Sequence, residues 1–315
     1  MSGGPITGKQ TSMGWDQPIP LLVELCAGTA ALSLRLSKVG ARPPVSRMGS
    51  KAGYAHAILQ VLGLRPGQGA ERFLWCEPDP GCRLLLEVYR TPGMAQEVAT
   101  ILRKWDGEDP RGLWDRLRAE GPPRWSTPLD PREVARWVRI ITANRLIPVR
   151  WDEDRQGWFN TGVGGTTHGG EEFATAIHSL VSKFLDLDVV LQADVERDSR
   201  TVDPSTIPEG TVAYFDPPYV GTTGYGADLS REEVVTIARR WSEAGAWVVI
   251  SEAEPIPELV EDGWSKVEIT WTRRGGSRTF SKQQREWLTL SRPPKAHPGR
   301  PTRPILSRRR GKVLR

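Results

Sequence analysis

What most constrains the fold is a repeated syntax: a short apolar run, a turn of small or acidic residues, then apolar positions at helical spacing. It begins at residues 20–36, PLLVELCAGTAALSLRL, where LLVEL ends in the turn CAGTA and Leu32, Leu36 and Val39 fall on one helical face. A second strand is predicted at 72–76 (RFLWC), followed by Glu77 and a helix through Leu84, Leu85, Val88 and Tyr89. A third, at 188–191, runs into Gln192 and Asp194, and 212–215 makes a fourth. The fifth, 247–250, follows a helix over 231–244, and a hairpin of VEITWT and REWLTL around 273–281 closes the sheet. Strands alternating with helices predict a doubly wound, mostly parallel α/β sheet of the Rossmann-like kind.

The pattern changes over 91–183, which is rich in Trp, Arg and Gly and reads as helices plus an irregular hairpin. A chain of 315 residues accommodates such an insert beside one large domain. The expected organisation is a loose arm at 1–18, a main domain from 19–90 and 184–290, the insert at 91–183, and a disordered basic tail at 291–315. No internal repeat is visible.

Composition closes several doors. Three cysteines (Cys26, Cys76, Cys82) make no closed disulfide framework and, with four scattered histidines, show no zinc-ligand spacing, so no metal is expected. No stretch of 18 apolar residues occurs and the first residues lack a signal-peptide core, so a protein off the membrane and in the cytoplasm of a bacterial or phage-infected cell is expected. The formal net charge of +5 is unevenly placed: residues 291–315 carry nine Lys or Arg and no acid, leaving 34 basic and 38 acidic residues in the first 290. The tail either binds polyanions or is simply solvated.

The sharpest chemical feature is Asp216-Pro217-Pro218-Tyr219, directly after the strand VAYF. In open α/β sheets, ligands bind outside the carboxyl ends of the strands. Two prolines fix φ and remove donors, leaving the Asp216 carboxylate and the Pro217 carbonyl as rigid acceptors. Two fixed acceptors can hold the two N–H groups of an exocyclic amine, and Tyr219 can stack on the ring that bears it. The alternative is a plain turn at a strand's exit. Nearer the start, the turn through Cys26, Ala27, Gly28, Thr29 and Ala30 has the small residues that let a cofactor approach the backbone, with Glu24 before it. Glu77 fits the acid that accepts from ribose hydroxyls in this fold; a surface helix-capping acid is the alternative. Asp194 carries the same ambiguity.

These features together resemble the Dam-like class of S-adenosyl-L-methionine-dependent DNA adenine N6 methyltransferases, whose target-recognition domain lies between the second and third strands. Residues 46–51 (SRMGSK) resemble the class's Gly-Gly-Lys cofactor segment, with Lys51 in the place of its lysine, although here the segment follows the first turn instead of preceding it. Glu77-Pro78-Asp79 resembles the Asp-Ile-Asn after the second strand. Asn144-Arg145, Arg150, Gly157-Trp158-Phe159-Asn160 and Gly164 resemble an NR…R…GxFNxPxG stretch, and 273–278 with Arg285-Glu286-Trp287-Leu288 resemble a late basic hairpin and closing strand. The second glycine of the first-turn motif is Ala30 here, and the usual Pro-Phe is Leu25-Cys26.

The resemblance spans about residues 21–290. It implies a Rossmann-like methyltransferase with an inserted target-recognition subdomain and a cofactor site at Glu24, Cys26 to Ala30, Lys51, Glu77, Asp194 and Asp216. Double-stranded DNA would be contacted by Asn144, Arg145, Arg150, Arg155, Trp158, Asn160, Tyr225, Arg273, Arg274 and Arg278, with a monomer or weak dimer as the acting species. Asp216, Pro217, Pro218 and Tyr219 would carry the catalysis. Competing readings are methylation of RNA adenine, of cytosine N4 or of a protein glutamine, and a non-catalytic DNA-binding homologue.

Overall fold

The computed structural model describes residues 17–38, 41–45, 50–124, 126, 128–142, 150–152, 156–159, 176–187, 189–218, 229–270 and 285–297. Their strands, in chain order, are β1 (Ile19–Glu24), β2 (Ala70–Cys76), β3 (Arg150–Asp152), β4 (Gly157–Phe159), β5 (Ala193–Glu196), β6 (Val212–Phe215), β7 (Trp247–Glu252), β8 (Ser265–Glu268) and β9 (Trp287–Leu290). Seven of them form one sheet in the order β5-β2-β1-β6-β7-β9-β8. The first five in that order run parallel, and β9 runs antiparallel to both β7 and β8. From β1 the chain moves outward to β2 and then β5, and it then crosses back to β6 on the other side of β1. The switch point between β1 and β6 is where this doubly wound topology opens a crevice at its carboxyl edge.

Strands buried on both faces read as continuous apolar runs, and β6 and β7 are buried at every residue. Alternate side chains separate the two cores. Leu22, Phe73, Trp75, Tyr214 and Val249 face one side; Val23, Ala213, Phe215, Val248 and Ile250 face the other. The first core is shared with α1 (Ala31–Ser37), α2 (Ala55–Val61), α3 (Pro80–Arg90), α4 (Met94–Trp105), α5 (Pro110–Ala119), α6 (Pro131–Ile141) and α7 (Ile177–Leu185). The second is covered by α8 (Arg231–Glu243) and α9 (Pro257–Glu261).

Helices α3, α5 and α6 start the same way. Asp79, Asp109 and Asp130 each accept from backbone N–H groups of the first turn, and each is followed by proline at the first helical position. The acid satisfies otherwise orphaned donors, and proline's missing N–H costs nothing there. Helix α8 opens with a capping box between Ser230 and Glu233.

The helices between β2 and β5 are packed into the sheet's own core. Gly81 in α3 lies so close to Trp137 of α6 that a Cβ there would stand 2.0 Å from the indole Nε1. Arg136, fully buried, donates to the carbonyls of Leu117 (3.1 Å), Gly121 (3.0 Å) and Pro122 (2.6 Å), and pairs with Glu133 at 2.8 Å. It thereby satisfies the open carbonyl end of α5. The small β3–β4 hairpin is tied on by Trp158, whose indole donates to the Arg118 carbonyl at 3.1 Å and meets Trp151 edge to face at 5.7 Å.

The third strand of the parallel set lies at 193–196 and not at the expected 188–191. It is the edge strand, where the alternating exposure of ADVE suits a half-covered position. The more apolar stretch before it serves as a linker, with the Leu191 N–H donating to the Tyr89 carbonyl at 2.8 Å. Residues 291–297, the start of the expected basic tail, are held against the body. Ser291 exchanges hydrogen bonds with Val248, Arg292 donates to the Gly245 carbonyl at 2.6 Å, and the Lys295 N–H donates to the Val61 carbonyl at 2.9 Å. Among the described residues, no helix is long and apolar enough to cross a membrane, and no cluster of His, Cys, Asp or Glu could hold a metal ion.

Candidate active site

The first turn hangs between two strands. The Leu25 N–H donates to the Tyr214 carbonyl of β6 at 2.8 Å and the Ala27 N–H to the Cys76 carbonyl of β2 at 2.9 Å. Both Gly28 (φ 52°) and Ala30 (φ 48°) lie in the left-handed region, which for alanine is costly and marks a turn held by its surroundings. The Glu77 carboxylate closes the turn from the end of β2, accepting from the Gly28 N–H at 2.7 Å with one oxygen and from the Asp79 N–H at 2.9 Å with the other. Among the described residues, nothing stands within 4 Å of where a side chain would begin at Gly28, so they leave space above the turn.

Glu24, only 2% exposed, is turned toward α1. It accepts from the Ser33 N–H at 2.9 Å and the Ser33 hydroxyl at 2.5 Å, and that hydroxyl in turn accepts from the Trp75 indole at 2.9 Å. Burial pushes the Glu24 carboxyl up to about 7, against the lowering effect of Ser33. Glu24 thus anchors the turn from beneath. Cys26, half-buried in the turn, has its thiol held well above the usual range by burial and by the nearby Glu77 and Asp216 charges. Both effects favour the neutral thiol over the thiolate.

At the end of β6 the Asp216 carboxylate, 18% exposed, meets the Lys51 ammonium, 7% exposed, at 2.7 Å. Lys51 opens a single 3-10 turn (Lys51–Gly53) before α2 and reaches the strand end from the α1–α2 face. Burial pushes Asp216 up to about 6; Lys51 pulls it down and Glu286 pushes it up. Glu286 stands 3.9 Å from the same ammonium and accepts from the Ser251 hydroxyl of β7. Glu252, the last residue of β7, is pushed up to about 7 by burial, with Arg231 opposing. The carboxyl edge of the sheet therefore sets Asp216, Glu286 and Glu252 about a buried ammonium, with Glu24 acting on Asp216 from the end of β1.

The structure brings Cys26 to Ala30, Glu77, Lys51, Asp216, Pro217 and Pro218 to one edge. It does not bring Asp194 there. Asp194 is the second residue of β5 and not the residue past its end, and it forms an exposed ion pair with Arg72 at 2.7 Å. Asp198, two residues beyond β5, stands past the strand end instead and accepts from the Arg200 side chain at 2.9 Å. The Trp158 indole is committed to packing within the chain. Arg150 lies on β3, with its side chain outside the description. Tyr219, Asn144, Arg145, Arg155, Asn160, Tyr225, Arg273, Arg274 and Arg278 lie outside the described residues.

Sequence reasoning missed Ser251, Glu252 and Glu286 as members of the site. The signal was present in the closing hairpin: a strand returning antiparallel beside β7 must start at the carboxyl edge, so the residue before Trp287 is delivered there.

No protein-family model and no curated protein matches the chain. Among solved structures, the chain is similar to the rRNA methyltransferase aviRa from Streptomyces viridochromogenes, in two structures. In the first, at 12% identity, 87% of this chain and 77% of that one are covered with a TM-score of 0.30. In the second the identity is 13%, the coverage 87% and 76%, and the TM-score 0.27. At such TM-scores neither likeness bears on fold or activity; the fold class rests on the strand order and the directions of the strands.

Proposed function

We propose that the chain transfers a methyl group from S-adenosyl-L-methionine to the N6 amine of an adenine flipped out of double-stranded DNA. One observation carries the reading: Asp216-Pro217-Pro218 leaves β6 at the switch point of the sheet, its carboxylate held at 2.7 Å by a buried lysine.

The residues present fit the cofactor. The open space over Gly28 and the carboxylate of Glu77 at the neighbouring strand end are what the ribose and its backbone contacts require. Glu77, Gly28 and the backbone of 26–30 would hold it. When bound, it supplies an electrophilic methyl group on a sulfonium.

The chain's own residues receive the amine. An ionised Asp216 is acceptor-only and, with the Pro217 carbonyl, takes up the two amine N–H groups. Both acceptors strengthen as positive charge develops on the nitrogen. Lys51 favours the ionised form of Asp216. The same ammonium repels a second cation at that acceptor, which favours a neutral base amine over a protonated protein side chain. Extruding the base costs a few kcal/mol, offset by protein–DNA contacts, among which the resemblance assigns base stacking to Tyr219.

The test is to incubate the full chain with methyl-labelled S-adenosyl-L-methionine and unmethylated duplex DNA, then digest to nucleosides. Label in N6-methyldeoxyadenosine is expected, and Asp216→Ala should abolish it with an unchanged circular dichroism spectrum. Label in N4-methyldeoxycytidine, label only in a parallel reaction with RNA in place of the DNA, or label nowhere overturns the reading.

A further inference from the structure

We propose that Glu286, seated by Ser251, is a positioning residue that keeps the Lys51 ammonium on one oxygen of Asp216 and leaves the other oxygen to the substrate amine. This rests on the reading above.

The argument starts from topology. Because β9 pairs antiparallel with β7, in register Ser251↔Leu288 and Glu252↔Trp287, its first residues lie at the carboxyl edge beside the end of β6. The backbone of Glu286 is fixed on both sides, its N–H donating to the Thr270 hydroxyl at 2.9 Å and its carbonyl accepting from the Ile269 N–H at 2.8 Å. The side chain is fixed as well, since it is 3% exposed and its Oε1 accepts from the Ser251 hydroxyl. A rigid carboxylate therefore stands 3.9 Å from the Lys51 ammonium, beside its 2.7 Å contact with Asp216 Oδ1.

A lysine side chain has four rotatable bonds and three donors, and alone it would bridge either oxygen of Asp216 or both. Two carboxylates in fixed places define where its charge sits. With Oδ1 occupied, the second oxygen of Asp216 keeps its lone pairs for a substrate N–H. The groups facing Asp216 from its surroundings are Lys51, Glu286, Glu24, Glu252, Cys26 and Tyr214. Of these, Lys51 is the cation and is in direct contact.

The experiment is a double-mutant cycle with Glu286→Gln and Lys51→Met, with Ser251→Ala as a second way to release Glu286. Glutamine keeps an acceptor for Ser251, so Glu286→Gln should melt close to wild type. Two readouts are taken. In the first, the midpoint of the Asp216 carboxyl is followed by 13C NMR of aspartate-labelled protein, with Asp216→Asn assigning the resonance. It should move down in Glu286→Gln and up in Lys51→Met. In the second, Glu286→Gln should lower kcat by about tenfold with an unchanged cofactor Kd, and by no more than about twofold in the Lys51→Met background, because coupled residues are non-additive. An unmoved midpoint in Glu286→Gln, or equal losses in both backgrounds, overturns the proposal. A wild type that methylates nothing sinks the functional reading alone, and the NMR midpoint still decides whether Glu286 acts on Asp216.

Discussion

Lys51 and Asp216 are 165 residues apart in the chain and 2.7 Å apart in space, and each is largely hidden from solvent. The pair sets the pH behaviour of the site. With its carboxyl pushed up to about 6, Asp216 should lose its acceptor role as pH falls through that value, so kcat/KM should show an acid limb centred near 6. Lys51→Met removes the charge that opposes the shift, and its acid limb should lie at higher pH. Lys51→Arg should restore it toward wild type. A pH–rate profile of the three proteins checks this.

The same groups give stability a definite slope. Between the ordinary aspartate value of 3.8 and about 6, folded Asp216 holds a proton that the unfolded chain has released. Stability therefore falls as pH rises through that window, and Glu24 and Glu252, both pushed up to about 7, extend the fall toward neutrality. Thermal unfolding midpoints should be higher at pH 5 than at pH 8 by this contribution, and Asp216→Asn should flatten the lower half of the slope.

Gly81→Ala should be among the most damaging small substitutions. Its Cβ would meet the Trp137 ring at 2.0 to 2.7 Å, and an indole packed 3% exposed between helices has nowhere to turn. Overpacking of this kind costs about 1–3 kcal/mol or more. Urea unfolding should show the loss, and Trp137→Leu in the same chain should recover part of it.

Ala30→Gly should go the other way. A left-handed alanine costs about 1–2 kcal/mol, whereas glycine's extra freedom in the unfolded chain costs about 0.5–1. A net gain of about 0.5–1 kcal/mol is expected from denaturant unfolding, and Ala30→Val, branched at the same φ of 48°, should be clearly destabilising.

Removing residues 298–315 should lessen the dependence of DNA binding on salt, because seven of the tail's nine basic residues lie there. The methylated sequence should stay the same. Filter binding across a salt series and long-read mapping of methylated sites check the two halves.

Much of the sheet was legible because its strands announce themselves. RFLWC, VAYF and WVVI are apolar runs bounded by breakers, and each is a strand in the structure. The strand at 193–196 is hard to locate from sequence because an edge strand with one covered face carries no apolar run, while the nearby VVL does. Within the site, Asp216 and Glu77 were readable because they sit directly after their strands. Glu286 was not, since nothing local distinguishes it from any acid before a strand; only the antiparallel return of β9 takes it to the lysine. Asp79, Asp109 and Asp130 were open to reading, as Asp-Pro before an amphipathic stretch, and together they mark three helix starts.

The contact of Trp137 on Gly81 bears on any attempt to exchange specificity by grafting. The segment between β2 and β5 is not a cassette that lifts off: its helix α6 keys into α3, and Arg136 seals the end of α5 from within. A chimera cut at 91 and 183 would trade away half of a lock whose other half stays behind. A workable junction falls after α6, so that the donor supplies the hairpin and the host keeps its own tryptophan.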